Sequence, residues 1–99
     1  MEKGGCIYFM TNRDNKVLYI GVTSDLKIRL YQHKNKEYPK SFTAKYNCNK
    51  LVYFESFQSI EEAIAQEKRI KDWKRVWKNE LISKTNPTWE DLSADIESW

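Results

Sequence analysis

Two short β-prone runs open the chain. Cys6-Ile7-Tyr8-Phe9-Met10 and Val17-Leu18-Tyr19-Ile20-Gly21-Val22 are separated by Thr11 to Lys16, where Asn12, Asp14 and Asn15 suit turn conformations, so the pair predicts a hairpin. Ser24-Asp25 then offers a helix cap. Leu26, Leu30 and His33 recur at helical spacing until the polar stretch from Lys34 and then Pro39 stop the pattern. Leu51 to Phe57 predicts a third strand, entered from a loop that holds the short Phe42-Thr43-Ala44-Lys45-Tyr46 turn. Ser59 with Glu62 forms a capping box. It opens one long helix to about Ser83, with apolar positions Ile60, Ala63, Ile64, Ile70, Trp73, Trp77 and Leu81. Asn86-Pro87 breaks the chain, and Thr88 with Asp91 can cap a last short helix through Leu92 and Ile96. The predicted order is ββαβαα, an α+β fold with a small, mainly antiparallel three-stranded sheet flanked by helices.

Ninety-nine residues suit one hydrophobic core, and no repeat or Gly/Ser/Pro linker divides them, so residues 1–99 read as a single domain. At 40% hydrophobic and 31% charged the chain is too apolar for disorder. It has no run approaching the ~18 uncharged apolar residues of a membrane span, and no apolar signal region follows Met1. A cytoplasmic location and no membrane partner are expected. Cys6 and Cys48 stand far apart and His33 is the sole histidine, which argues against a zinc cluster or a disulfide framework. The net charge of +3 conceals an asymmetry: residues 1–85 hold all 17 Lys and Arg, and Glu90, Asp91, Asp95 and Glu97 make the tail acidic. A basic body suits a polyanion, although a solvated lysine-rich surface has the same composition.

Alternation places Tyr8 with Cys6 and Met10, and Tyr19 with Gly21, so the two tyrosines can meet on one sheet face. Tyrosines there also serve simply to cover a core with the hydroxyl at its rim. Glu67 falls inside the apolar stripe of the long helix, where a carboxylate needs an Arg partner, a metal or a route to the surface. Arg29 sits on the inward side of the first helix, so an Arg29–Glu67 salt bridge with no catalytic meaning would satisfy both. His33 taken alone reads as a helix-end cation, and Asn86 before Pro87 as turn chemistry. Lys68, Arg69, Lys71, Lys74, Arg75 and Lys78 line outer faces of the long helix, as solvated charge or as phosphate contacts.

Taken in order, Cys6-Ile7-Tyr8, Tyr19-Ile20-Gly21, Arg29, His33, Glu67 and Asn86 resemble the motif set of GIY-YIG nucleases, and Phe42 to Tyr46 and Asn86-Pro87-Thr88-Trp89 look like a branch of small single-domain bacterial proteins of that family. The resemblance runs from Cys6 to about Leu92. It implies a metal-dependent endonuclease acting on DNA phosphodiester bonds, with one Mg²⁺ or Mn²⁺ held by Glu67. Arg29 would bind the scissile phosphate, Tyr8 and Tyr19 would position or deprotonate the attacking water, His33 would assist proton transfer or contact the phosphate, and Asn86 would fix the geometry of the site. Lys45, Lys68 and Lys71 would contact nucleic acid, and no obligate protein partner is implied. Cys6 stands where the family has a glycine. That departure, with the basic body, motivates the alternative of a non-catalytic nucleic-acid-binding module that retains the fold.

Overall fold

The computed structural model describes residues 4–99. Strands β1 (Gly5–Thr11), β2 (Leu18–Thr23) and β3 (Lys50–Phe57) form one antiparallel sheet in the order β2-β1-β3. The sheet is the α+β core that the pattern of apolar runs predicts. Its central strand is buried along its whole length, as two-sided cover requires. Ile7 and Phe9 point to one face, where Ile20, Val52, Ala63, Ile70 and Ile82 complete a core. Cys6, Tyr8 and Met10 point to the other, against Leu26, Leu30, Cys48, Leu51 and Ile96.

Helix α1 (Leu26–Lys34) covers the Tyr8 face and starts as its cap predicts, with the Asp25 carboxylate accepting from the Ile28 N–H at 3.2 Å. Helix α2 (Phe42–Lys45) is a single turn capped by Ser41, whose hydroxyl accepts from the Ala44 N–H. Helix α3 (Ile60–Lys71) begins at the expected Ser59 cap and lies across the Ile7 face. Helices α4 (Arg75–Thr85) and α5 (Ser93–Glu97) complete the chain.

Two expectations need correction. The helix predicted to run unbroken to about Ser83 is two helices, α3 and α4, separated at Asp72–Lys74, so the order is ββααβααα. A straight helix would carry Ile82 about 18 Å beyond Ile70, past the reach of a three-stranded sheet. Breaking it lets both isoleucines bury completely in one core. No Gly or Pro marks the break, so the stronger signal, continuous apolar spacing, misleads. Asp91 rather than Thr88 organises the entry to α5: its carboxylate accepts from the Ser93 and Leu51 N–H groups and pairs with Lys34.

The residue at the family glycine position fits its surroundings. Cys6 is fully buried, with its thiol 3.3 Å from the Ser56 hydroxyl, and burial raises its pKa. Close approach falls instead on Gly4 and Gly5: a Cβ on Gly4 would lie 2.0 Å from the Phe57 carbonyl oxygen, and one on Gly5 2.7 Å from that of Ala63 and 2.9 Å from the Ile60 Cα. Both cysteines are free thiols.

Candidate active site

The site grows from the register of the hairpin. Tyr8 on β1 pairs with Gly21 on β2, and Met10 with Tyr19, so Tyr8 and Tyr19 are diagonal neighbours on one face with ring centroids 6.1 Å apart. The Tyr8 ring leans over Gly21. A Cβ there would lie 2.4 Å from the phenol carbon and oxygen, which explains why a glycine follows Tyr19-Ile20.

Helix α1 brings Arg29 and His33, one turn apart, onto this surface. The Tyr8 hydroxyl and His33 Nε2 are hydrogen-bonded at 2.8 Å, and His33 Nδ1 lies 2.8 Å from the Thr43 hydroxyl on α2. Arg29 Nη2 lies 3.5 Å from His33 Nε2, while Nη1 donates to Gln32 Oε1 at 2.8 Å. The Tyr19 ring meets His33 edge-on and stacks against Phe42. A hollow of about 320 Å³ opens between them, lined by Tyr19, Arg29, His33, Tyr38, Phe42 and Thr43 among others.

Burial dominates the electrostatics. It lowers the His33 pKa to about 4, and the Arg29 guanidinium acts in the same direction. His33 is therefore buried and neutral, not the helix-end cation that its position in the last turn suggests. A helix dipole stabilises a cation there by only about 0.3–1 kcal/mol, too little to offset that shift. Burial likewise raises the Tyr8 pKa, with Tyr19 adding to the effect and Arg29 opposing it, so the phenol stays protonated. Burial works against the charge on Arg29, but Tyr8 and Tyr19 outweigh it and raise its pKa.

Glu67 lies in the opposite layer, on α3, and is not among the residues that line the hollow. It is buried in α3 between Ala63 and Ile70, and its ion-pair partner is the exposed Lys71 one turn on. The Arg29–Glu67 salt bridge allowed by the sequence does not form. The Glu67 side chain is 9% exposed, and its carboxylate is paired with the Lys71 ammonium. A shallower hollow contains Lys71 and Lys78 and shares Tyr19 and Phe42 with the first, so the two hollows flank one aromatic pair.

The remaining candidates lie farther out. Lys45 is exposed on α2, 5.5 Å from the centre of the Tyr46 ring, and Lys68 is exposed on α3. Asn86 is buried away from the hollow: its amide donates to the Val52 and Glu90 carbonyls and accepts from the Glu90 N–H, tying the chain after α4 to β3. Two members of the cluster escape a reading of single residues, Gly21 and Thr43. Their only sequence signal is membership of the Tyr19-Ile20-Gly21 and Phe42-to-Tyr46 patterns.

No group of three or more His, Cys, Asp or Glu side chains comes together among the described residues. A one-carboxylate site suits Mg²⁺ better than zinc or calcium, since Mg²⁺ keeps most of its waters and takes phosphate oxygens as further ligands. Glu67, a carboxylate on an apolar stripe with only a surface lysine opposite, fits such an ion.

Comparisons with known proteins agree with this architecture. The model of the GIY-YIG catalytic domain matches residues 4–87. A UPF0213 protein of Streptococcus pneumoniae serotype 4 is 35% identical over 99 residues, covering 100% of this chain and 97% of its own. A UPF0213 protein of Syntrophus aciditrophicus is 33% identical over 81 residues, covering 82% of this chain and 91% of its own. The solution NMR structure of a UPF0213 protein from Bacillus halodurans superposes with a TM-score of 0.56 at 26% identity, over 88% of this chain and 90% of that one. With the family match spanning residues 4–87 and a relative 35% identical over the whole chain, the chain belongs to the GIY-YIG family.

Proposed function

We propose that the chain hydrolyses DNA phosphodiester bonds as an endonuclease dependent on Mg²⁺ or Mn²⁺. The observation that carries this reading is the convergence of Tyr19, Arg29 and His33 around one open hollow, with the buried Tyr8 hydroxyl hydrogen-bonded to His33.

Arg29 binds the scissile phosphate, and its planar fork stabilises the negative charge that grows on the phosphorus oxygens as water attacks. Tyr19, half-buried in the lining of the hollow, positions that water. Tyr8 cannot act as a base alone, because its hydroxyl keeps its proton at neutral pH. It acts as a relay: as the water oxygen bonds to phosphorus, the water proton passes to the Tyr8 oxygen and the phenol proton passes to His33 Nε2. The P–O bond to the leaving oxygen breaks, and that oxygen takes a proton from solvent. A phosphate drawn onto Arg29 places negative charge beside the imidazole and raises its basicity from the low value of the free site. Glu67 would hold the divalent ion, which supplies Lewis-acid polarisation of the phosphate and an acidified water when bound. Lys45, Lys68 and Lys71 contact flanking phosphates, and Asn86 holds the connection after α4 against the sheet.

The test is cleavage of DNA by purified protein with Mg²⁺ or Mn²⁺. Arg29→Ala and Glu67→Ala should each abolish cutting while unfolding curves stay close to that of the parent. Cutting that persists in both variants would refute the proposal. The alternative of a module that binds without cutting rests on the basic body and on Cys6, and of these Cys6 leaves the Tyr8–His33 pair undisturbed.

A further inference from the structure

His33 is the sole histidine, and each nitrogen of its ring has one oxygen partner at 2.8 Å. A neutral imidazole has one donor and one acceptor, so two arrangements are open: Tyr8 donates to Nε2 while Nδ1–H donates to Thr43, or the reverse. Arg29 decides between them. Its Nη2 carries only donors and lies 3.5 Å from Nε2, so a proton on Nε2 would face a cationic N–H in a buried site. Nε2 is therefore the acceptor, and the proton belongs on Nδ1, pointing at the Thr43 hydroxyl. Thr43 is itself 3% exposed and lies 3.3 Å from the hydroxyl of Ser41, the residue that caps α2. The remaining groups facing the ring, Tyr8 on β1 and Tyr19 on β2, offer Nδ1 no partner.

We propose that Thr43 is a positioning residue: its hydroxyl, anchored by the cap of α2, holds His33 in the tautomer that leaves Nε2 bare to take the proton of Tyr8. The catalytic part of this inference rests on the proposed hydrolysis, but the tautomer does not. It assigns a purpose to the Phe42-to-Tyr46 pattern. The turn exists to cap itself at Ser41 and present one buried hydroxyl to the imidazole. Without that hydroxyl a buried Nδ1–H has no acceptor, and moving the proton to Nε2 becomes the better arrangement, which turns the proton acceptor of the relay into a donor.

The experiment is a ¹H–¹⁵N correlation of the imidazole nitrogens at neutral pH, without metal or DNA, on the full chain and on Thr43→Val and Thr43→Ser. Because His33 is the only histidine, every imidazole signal belongs to this ring. The parent and Thr43→Ser should show a protonated Nδ1 and a bare Nε2, and Thr43→Val should move the proton partly or wholly to Nε2. Cleavage by Thr43→Val should fall on the order of 10- to 100-fold, by analogy with the loss when the outer partner of a metal-ligating histidine is removed, and Thr43→Ser should restore it. A proton on Nε2 in the parent would overturn the proposal even if Thr43→Val fails to fold. A folded Thr43→Val that keeps Nε2 bare would overturn it as well. Absence of cleavage in every protein, with the predicted tautomers observed, would sink the nuclease reading and leave the role of Thr43 in holding the ring standing.

Discussion

Ile7 and Phe9 on one face of β1 and Tyr8 on the other are equally buried, but their surroundings differ in kind. The α3 face is dry: Ile20, Val52, Ala63, Ile70 and Ile82 fill it, and Glu67 at its margin pairs with a surface lysine. The α1 face closes over a polar chain from Tyr8 through His33 to Thr43, with Arg29 beside it. Hydrophobic burial on the first face holds the strand in place, and that rigidity lets the second face hold titratable groups at fixed distances in a buried, partly desolvated setting. One seven-residue strand thus serves as the wall of a core and the floor of a site. Changes on the two faces should separate stability from chemistry.

The largest effect on stability is expected on the dry face. Phe9→Ala removes a fully buried aromatic side chain packed against Tyr53 and should lower the free energy of unfolding by about 3–5 kcal/mol, measured by urea denaturation. A loss under about 1 kcal/mol would mean that this face does not anchor the strand.

The next effect belongs to the polar face and depends on pH. The folded state binds a proton at His33 only near pH 4, whereas the unfolded chain binds one near 6.5. The folded-state pKa is lowered, so this contribution is fully present above pH 6.5 and is lost as pH falls toward about 4. Stability should therefore rise across that window by on the order of 3 kcal/mol. His33→Gln should flatten the rise, and an unchanged slope in that variant would assign it to other groups.

The smallest effect tests the margin between the faces. Lys71→Ala removes an ion pair whose lysine is largely exposed, and should change stability by less than about 1 kcal/mol. A loss of several kcal/mol would show Glu67 to be a charge buried beyond the reach of water, and would count against its holding a hydrated ion.

How far the sequence discloses this arrangement depends on the range of the interactions. The strands, the Asp25 and Ser59 caps and the break at Asn86-Pro87 are local features, and local pattern finds them. The turn at Asp72–Lys74 is not local. It is set by the width of the sheet, which lets Ile70 and Ile82 share one core only if the helix breaks. In the site, alternation places Tyr8 and Tyr19 on one face. The contact of Tyr8 with His33 spans 25 positions and that of His33 with Thr43 spans 10, so the motif order points to the first and nothing local points to the second. Glu67 is legible as an anomaly in an apolar stripe, while its ion pair with Lys71 rather than Arg29 depends on which layer each helix occupies.

The central claim is that the polar face of β1 moves a proton. Single-turnover cleavage of DNA by Tyr8→Phe, measured beside its unfolding curve, tests it most directly. The substitution removes one hydroxyl and one hydrogen bond, at a cost of about 1 kcal/mol in stability. The account predicts that Tyr8→Phe stays folded at assay temperature and loses cleavage by at least 100-fold, the lower range for removing a general acid–base group. Cleavage at the parent rate by the folded variant would contradict it.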